Sequence, residues 1–276
     1  MQKRHLDRQQ YFNEQSESTK KYVIPYIQEG IRKSCNISLG EGCRVLEVGC
    51  GEGGNLLPFL EMGCQCYGVE LSKVNYENAL KFYEENPLKH QLFLLRKNIY
   101  DVTPDELGGL FDIIFLRDVI EHIPAQEEFM KHLKKFISPN GVLFFAFPPW
   151  RMPFGGHQQI IRKKWVSMLP YMHVLPRFLY RLVLKTLGVS EGEIQDLLNL
   201  EETGISINRF EKIIDRENYK IIQKTHWLFN PNYQIKFGLK PRHVSKIFRI
   251  PYLQDFYTTA MYYLLKVEKT GAIVDC

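Results

Sequence analysis

The segment that most constrains the fold is residues 43–54, where an apolar run leads directly into a glycine-rich turn. Gly49, Gly51 and Gly53 allow backbone angles that other residues avoid, and they let a ligand approach the backbone closely. Residues 55–62 then have the pattern of a first helix. A strand, glycine turn and helix in this order predict a cradle for part of a nucleotide cofactor.

Two cofactor classes compete for that cradle. Gly49, Gly51 and Gly54 satisfy the dinucleotide pattern G-x-G-x-x-G, which alone is weak evidence. Glu47 favours the other class, because a carboxylate in an apolar strand needs a partner and a positively charged cofactor would supply one. An NAD enzyme usually carries an apolar residue there. The spacing of Glu47 and the alternating glycines resembles the first motif of class I S-adenosylmethionine methyltransferases.

The resemblance continues in register from about residue 44 to residue 147. It implies that Glu47 and the turn, Cys50 included, hold the methionine part of the cofactor. Residues 65–70 are a second strand ending in Glu70, about 20 residues after the glycines, where a carboxylate can accept both ribose hydroxyls. Glu70 and Leu71 are therefore the predicted ribose side of the site. The alternative is that Glu70 only caps the helix beginning near Ser72.

A third strand, residues 91–95, precedes the predicted adenine side of the site. The resemblance implies that Asp101 faces the adenine amino group, with Asn98 and Ile99 beside it. Alternatively, Asp101 caps the turn at Thr103, since it lies just before a Thr-Pro pair.

Residues 111–116 are a fourth strand that leads into Arg117, Asp118 and, three residues later, Glu121 and His122. In the resembled family an acid, two apolar residues and Glu-His form the loop beside the reactive methyl group. Arg117 and Asp118 are thus predicted cofactor neighbours, and His122 a catalytic candidate. The alternative is an ordinary packed or solvated histidine.

The alternation of strands and helices indicates an α/β fold, which the resemblance specifies as Rossmann-like. We expect a seven-stranded, mostly parallel sheet with one antiparallel strand. A helix over 125–137 precedes the fifth strand, 141–147, and a helix over 207–216 precedes strands at 219–228 and 261–269. We expect residues 1–40 to form an N-terminal helical cap and residues 41–276 the methyltransferase domain.

Two insertions, at about 150–205 and 230–259, are expected to form a lid over the acceptor. His157, among aromatic residues and glycines after the fifth strand, is our preferred general base because imidazole titrates near neutral pH. Alternatively it only fastens its loop. Residues 11–32 have a helical apolar face that either roofs the cofactor, with Tyr11 nearest, or packs on the sheet.

A helix beginning at Pro176 and ending before Gly188 is amphipathic, with Leu175, Phe178, Leu179, Leu182 and Val183 on one side. This stripe is either core or, through residues 175–187, a peripheral contact with membrane or lipid. Ser190 and Glu193 have the spacing of a capping box for the helix that follows.

Composition bears on the partners, the metal content and the location that the chain can have. A net charge of +5 without a dense basic block does not indicate nucleic acid. The six cysteines show neither disulfide nor zinc spacing, so we expect no metal site and a reducing, cytoplasmic location. The N-terminus lacks the apolar core of a signal peptide, and no apolar run is long enough to span a membrane.

The resemblance implies transfer of a methyl group from S-adenosylmethionine, and the aromatic residues and the amphipathic helix favour a hydroxyl of a small, partly apolar metabolite as the acceptor. The Glu-His-Ile loop resembles the small-molecule O-methyltransferases of quinone biosynthesis. The alternatives are a non-catalytic S-adenosylmethionine-binding module, a lipid or glycan acceptor, and an NAD-dependent enzyme.

Overall fold

The computed structural model describes residues 7–34 and 37–268. Its centre is one sheet with the strand order β3-β2-β1-β4-β5-β8-β6-β7. The first five strands are mutually parallel. β8 pairs antiparallel with β5, β6 pairs antiparallel with β8 and so runs in the direction of the first five, and β7 pairs antiparallel with β6. The strands are β1 (Arg44–Val48), β2 (Gln65–Val69), β3 (Leu92–Leu95), β4 (Phe111–Arg117), β5 (Ile137–Phe147), β6 (Tyr219–Phe229), β7 (Arg242–His243) and β8 (Ala260–Val267).

Helices cover both faces of this sheet. Side chains alternate across β1, so Val45 joins one buried core and Leu46 the other. The helices are α1 (Arg8–Ser18), α2 (Ile24–Ser34), α3 (Leu57–Glu61), α4 (Lys73–Tyr83), α5 (Gln126–Leu133), α6 (Lys164–Ser167), α7 (Arg177–Thr186), α8 (Glu191–Thr203), α9 (Ile207–Arg216) and α10 (Asn232–Phe237). The predicted Rossmann-like α/β class is confirmed.

The number of strands and several element boundaries differ from the sequence prediction. The sheet has eight strands because the two-residue β7 pairs with the end of β6. The helix predicted over 125–137 ends at Leu133, because Ile137 already pairs with Phe111 of β4 and so begins β5. The predicted final strand begins one residue earlier, at Ala260, and the last predicted residue, 269, lies outside the described residues, as do Cys35 and Cys276.

The two halves of the N-terminal segment pack differently. The second half packs on the sheet, as one alternative predicted, and the first half lies over the glycine turn, so its role as a roof over the cofactor stays a prediction. A π-helical turn, Thr19–Val23, joins α1 to α2. Val23 and Ile27 are fully buried on the sheet, and the hydroxyl of Tyr26 donates a 3.0 Å hydrogen bond to the carbonyl of Tyr262 in β8. In contrast, α1 lies over the glycine turn: a Cβ built on Gly54 would lie 2.6 Å from the carbonyl oxygen of Phe12.

The first insertion forms a small helical unit with its own core. The capping box of Ser190 and Glu193 is present at the start of α8, as predicted. The predicted apolar stripe of α7 is wrong in part. Tyr180 and Leu184 are the buried residues, while Phe178 is 76% exposed and Leu182 56% exposed on the opposite side. The helix therefore has two apolar faces: one packs against the core of the insertion, and the opposite one is exposed to solvent.

Among the residues the structure describes, none of the helices is both long and apolar enough to cross a lipid bilayer.

Candidate functional site at the carboxyl ends of the parallel strands

The glycine turn leaves β1 with an open backbone cradle. Gly49, Gly51 and Gly53 all have positive φ angles, of 69°, 56° and 79°. The amides of Gly49 and Cys50 both donate hydrogen bonds to the carbonyl of Val69, and these bonds attach the turn to β2. A Cβ built on Gly51 would meet nothing within 4 Å. The space beside Gly51 is therefore free for a ligand that approaches the backbone.

Glu47 is buried at the end of β1, where it has a partner within the chain. Its Oε1 accepts a 2.7 Å hydrogen bond from the side-chain amide of Asn55, and its Oε2 has no hydrogen-bond partner among the described residues. Burial raises the pKa of Glu47 well above its usual value, while Asn55 and then the nearby charge of Arg117 oppose that rise. We expected a cationic cofactor to compensate the buried carboxylate of Glu47. Asn55 and Arg117 already supply part of that compensation.

Glu70 follows β2 and is almost fully buried. Its Oε2 accepts from the amide of Gly51 at 2.8 Å, and its Oε1 accepts from the amide of Ser72 at 2.7 Å. The capping alternative is confirmed in part: Glu70 holds the amide at the start of α4, but the N-cap residue of that helix is Ser72 itself. Leu71, between them, is 70% exposed at the edge of the same region.

The predicted adenine side is a single 3-10 turn after β3. The side chain of Asn98 accepts from the amide of Tyr100 at 3.2 Å and begins the turn, Ile99 is buried under it, and Asp101 is exposed at its end. The following turn is capped by Thr103, whose hydroxyl accepts from the amide of Glu106. The capping alternative for Asp101 is therefore not observed.

Arg117 anchors the N-terminal segment beneath the site. Its guanidinium donates to the hydroxyls of Ser18 at 2.9 Å and Thr19 at 3.3 Å, and to the side-chain oxygen of Asn55 at 3.2 Å. Asp118 follows with a φ of +54°, an unusual angle for a residue with a side chain. The end of β4 therefore turns sharply beside the glycine cradle, where Val119 lies against Gly49.

The two predicted catalytic histidines meet at this end of the sheet. The ring centroids of His122 and His157 are 4.8 Å apart. His122 is exposed and His157 half-buried. Partial desolvation by the surrounding chain lowers the pKa of both imidazoles; for His157, the neighbouring His122 and His173 lower it further, to about 4. Both rings are consequently neutral at pH 7 and able to accept a proton.

A buried carboxyl group completes this cluster. Glu121 is only slightly exposed, and neither of its carboxyl oxygens has a hydrogen-bond partner among the described residues. Burial, and then Asp118, raise its pKa well above the usual value. Ligand atoms of Glu121, His122 and His157 all lie within 4.8 Å of one another, a grouping that is also able to hold a metal ion. The expectation that the chain has no metal site thus stays a prediction.

The second insertion and α1 meet at a small, partly open cavity of about 20 Å³ beside the site. It is lined by Tyr11, Glu14, Gln15, Arg117, Asp118, Asn232 and Lys236. Arg8 fastens α1 nearby, since its guanidinium donates to Oε1 of Glu52 at 2.5 Å and to the side-chain oxygen of Asn75 at 3.1 Å. Sequence reasoning missed Arg8, Glu52 and Asn55. Glu52 and Asn55 are polar residues in or beside the glycine segment, whereas Arg8 is distant from it in sequence and gives no such signal.

The chain resembles known proteins both in sequence and in fold. A family described as a methyltransferase domain matches residues 10–181. A ubiquinone biosynthesis O-methyltransferase of Rickettsia akari is 30% identical over 123 residues, covering 45% of this chain and 47% of that protein. The chain thus spans about half the length of the curated relatives it matches.

Two of the solved structures that share the fold illustrate the similarity. An S-adenosylmethionine-dependent methyltransferase of Clostridium acetobutylicum has a TM-score of 0.55 and 14% identity, with 92% of each chain covered. PKMT2 of Rickettsia typhi, in complex with S-adenosylhomocysteine, has a TM-score of 0.56 and 21% identity, with 92% of this chain and 54% of that chain covered. The family match covers more than half of the chain and agrees with the order of strands around the glycine cradle. The chain therefore belongs to the class I methyltransferases, and its cofactor is S-adenosylmethionine.

Proposed function

We propose that this methyltransferase methylates a hydroxyl group of a small, partly apolar metabolite. The observation that carries the proposal is the contact between His122 and His157, because it brings two neutral imidazoles from distant segments to the carboxyl end of β4. Parallel sheets of this kind bind their ligands at that end. A hydroxyl acceptor must lose its proton during transfer, and in this proposal the histidine pair receives it.

The cofactor assignment follows the predicted residues. The backbone of Gly49, Cys50, Gly51 and Gly53, with Glu47 behind it, would hold the methionine part, and the open space beside Gly51 fits that role. Glu70 with Leu71 would hold the ribose, and Asn98, Ile99 and Asp101 the adenine. Arg117 and Asp118 would lie beside the sulfonium end. A carboxylate has about four lone-pair sites, so Glu70 can accept ribose hydroxyls in addition to its two amides.

S-adenosylmethionine supplies an electrophilic methyl group when bound and leaves as S-adenosylhomocysteine. The chain then has three tasks: to hold the acceptor in line with that methyl group, to exclude water, and to take the acceptor's proton on an imidazole of the histidine pair. Positioning contributes most of the acceleration in such a reaction, and a base adds about 10²- to 10⁴-fold.

The basicity of His157 narrows the acceptor class. A base whose pKa is about 4 gives little driving force for proton removal, so it suits an acidic hydroxyl, such as a phenol or enol, better than an aliphatic alcohol. The relative in Rickettsia akari is named for O-methylation in ubiquinone biosynthesis, and a quinol hydroxyl is of this acidic kind. Both points favour a phenolic acceptor with an apolar part.

The experiment is incubation with methyl-labelled S-adenosylmethionine and a cell extract divided into polar-metabolite, lipid, protein and RNA fractions. We expect label in a metabolite or lipid carrying a phenolic hydroxyl. We expect His157→Ala to lower the transfer rate by about 10²- to 10⁴-fold with unchanged S-adenosylhomocysteine affinity. His90→Ala, which replaces an exposed histidine, is the matched control. Label only in protein or RNA, or an unchanged His157→Ala rate, would contradict the proposal.

A further inference from the structure

The second insertion contains an exposed apolar segment that the methyl-transfer site does not use. We name residues 246–253 the apolar loop; its sequence is Lys-Ile-Phe-Arg-Ile-Pro-Tyr-Leu. Ile247 is 76% exposed and Tyr252 60% exposed, and the side chains of Phe248, Ile250 and Leu253 are about half exposed. Five large apolar side chains within eight residues thus face solvent, which is unusual for a surface without a partner.

The residues on either side of the apolar loop are buried or hydrogen-bonded to the sheet and to α9, so the loop is anchored although its side chains are exposed. Asp255 is fully buried and accepts a 3.2 Å hydrogen bond from the amide of Ile207 at the start of α9. The amide of Thr259 donates to the carbonyl of Trp227 in β6 at 2.7 Å. On the other side, Val244 is buried and its amide donates to the carbonyl of His226 at 2.9 Å. Hydrogen bonds on both sides of the apolar loop therefore attach it to the body of the protein.

The charged residues that precede and interrupt the apolar loop in the sequence are all cationic. Between residues 230 and 254 the sequence has five lysines and arginines and neither aspartate nor glutamate. Within the described part of the chain, Lys240 and Lys246 make none of the ion pairs with carboxylates. Apolar side chains that follow and alternate with cations in one segment are suited to a surface that is apolar inside and anionic outside.

The exposed face of α7 lacks this charge pattern, although residues 175–187 were the predicted membrane contact. Arg177 pairs with Glu202 at 3.2 Å, and Arg181 pairs with Glu191, so acidic residues of α8 compensate the cations there. A second copy of this chain is also a poor occupant of the apolar loop, because a symmetric contact would bring its uncompensated cations together.

We propose that the apolar loop docks this protein on an anionic lipid surface. Ile247, Ile250 and Leu253 enter the interface, and Lys246 with Lys240 contact the lipid phosphates. The same insertion begins with α10, which lines the space beside Arg117 and Asp118. Residue 237, at the end of α10, is nine residues from Lys246, a span of at most about 30 Å. Docking therefore holds the acceptor side of the site near the lipid, whatever the acceptor is.

The test is flotation of the purified chain with phosphatidylcholine vesicles, with or without roughly one-third phosphatidylglycerol. We expect binding only to the anionic vesicles. The double variant Ile247→Ser/Leu253→Ser should weaken that binding by roughly tenfold or more, because its apolar side chains no longer enter the interface. Lys246→Gln should weaken it by about fivefold. Leu80→Ser, on the exposed side of α4, is the matched control and should bind as the wild type does.

Several outcomes would overturn the proposal. Equal binding to both vesicle types would remove the role of charge, and binding to neither would remove the lipid surface. Loss of binding in Phe178→Ser with normal binding in the double variant would move the contact to α7. A lipid-free dimer that the double variant converts to monomer would make the loop a self-association surface. Unchanged S-adenosylhomocysteine affinity in each variant shows that folding and the cofactor site are intact, so these outcomes concern the loop alone.

Discussion

The amide of Gly51 donates a 2.8 Å hydrogen bond to Oε2 of Glu70, so the glycine turn and the end of β2 are joined through one buried carboxylate. The other oxygen of Glu70 accepts from the amide of Ser72, at the N-terminus of α4. Three segments around the cradle are thus ordered by a single side chain. This arrangement makes Glu70 a structural tie as well as the predicted ribose contact.

Replacement of Glu70 should therefore weaken both cofactor binding and the fold. We expect Glu70→Ala to raise the Kd for S-adenosylhomocysteine by about 10- to 100-fold, since hydrogen bonds to a charged group contribute about 1.5–3 kcal/mol. Isothermal titration calorimetry measures the affinity, and thermal unfolding of the free protein measures the stability. Glu77→Gln, on the exposed side of α4, is the control. Wild-type affinity in Glu70→Ala would exclude Glu70 from the site.

Gly49 and Gly51 offer a matched pair, because their added Cβ atoms would meet different surroundings. In Gly49→Ala the Cβ would lie 2.8 Å from a methyl group of Val119, in addition to the strain of a positive φ. In Gly51→Ala the strain is similar, about 1–2 kcal/mol, but the Cβ enters open space. We expect Gly49→Ala to lose more unfolding free energy, and Gly51→Ala to lose mainly cofactor affinity.

Urea unfolding and calorimetric titration with S-adenosylhomocysteine separate these two effects. Gly192→Ala is a suitable control, because its Cβ also meets nothing within 4 Å and its φ is negative within α8. If Gly51→Ala bound the cofactor as tightly as the wild type, the cradle beside Gly51 would not be where the cofactor lies.

Local features of the site were predictable from sequence. The glycine spacing, the acid after β2 and the capping box of Ser190 depend on neighbouring residues, and the structure places each where it was expected. Burial was harder to predict. The periodicity of α7 identifies apolar positions, but tertiary packing decides that Leu184 faces the core and Phe178 faces solvent.

Long-range contacts were not predictable from these patterns. His122 and His157 were each proposed separately, and their contact arises only because the insertion folds back over the end of β4. The link from Arg8 to Glu52 likewise joins segments 44 residues apart. Single-sequence periodicity carries no information about such pairings, because it reports only which faces of an element are apolar.

Metal chelation distinguishes two roles for Glu121, His122 and His157. If the imidazoles act as a base, as proposed, EDTA should leave the methyl-transfer rate unchanged, and added divalent cations should not raise it. If the three side chains instead hold an ion, EDTA should abolish activity and a specific metal should restore it. Elemental analysis of the purified protein, with a His157→Ala variant as the matched sample, provides an independent measurement.

The pH dependence of methyl transfer tests the depressed pKa of His157. The base works when neutral, so kcat/KM should be level from pH 6 to pH 8 and fall only as the pH approaches about 4. Removing the imidazole of His122 in His122→Asn removes one cause of the depression, so the pKa of His157 should rise and the acid limb should move to higher pH. An acid limb near 6.5 in the wild type would show an unperturbed base.

Acid sensitivity of the fold should arise partly from His226 in β6. Burial, and then Arg249 and Lys224, lower its pKa to about 4, whereas an unfolded histidine titrates near 6.5. Between these values the unfolded chain binds a proton that the folded chain does not, so this contribution is complete above about pH 6.5 and is lost as the pH falls toward 4. The difference amounts to on the order of 3 kcal/mol. His226→Gln should therefore show a shallower fall in unfolding free energy, measured with urea between pH 7 and pH 4.5, than the wild type or the exposed-site control His90→Gln. Parallel curves for all three proteins would show that His226 does not titrate differently in the folded state.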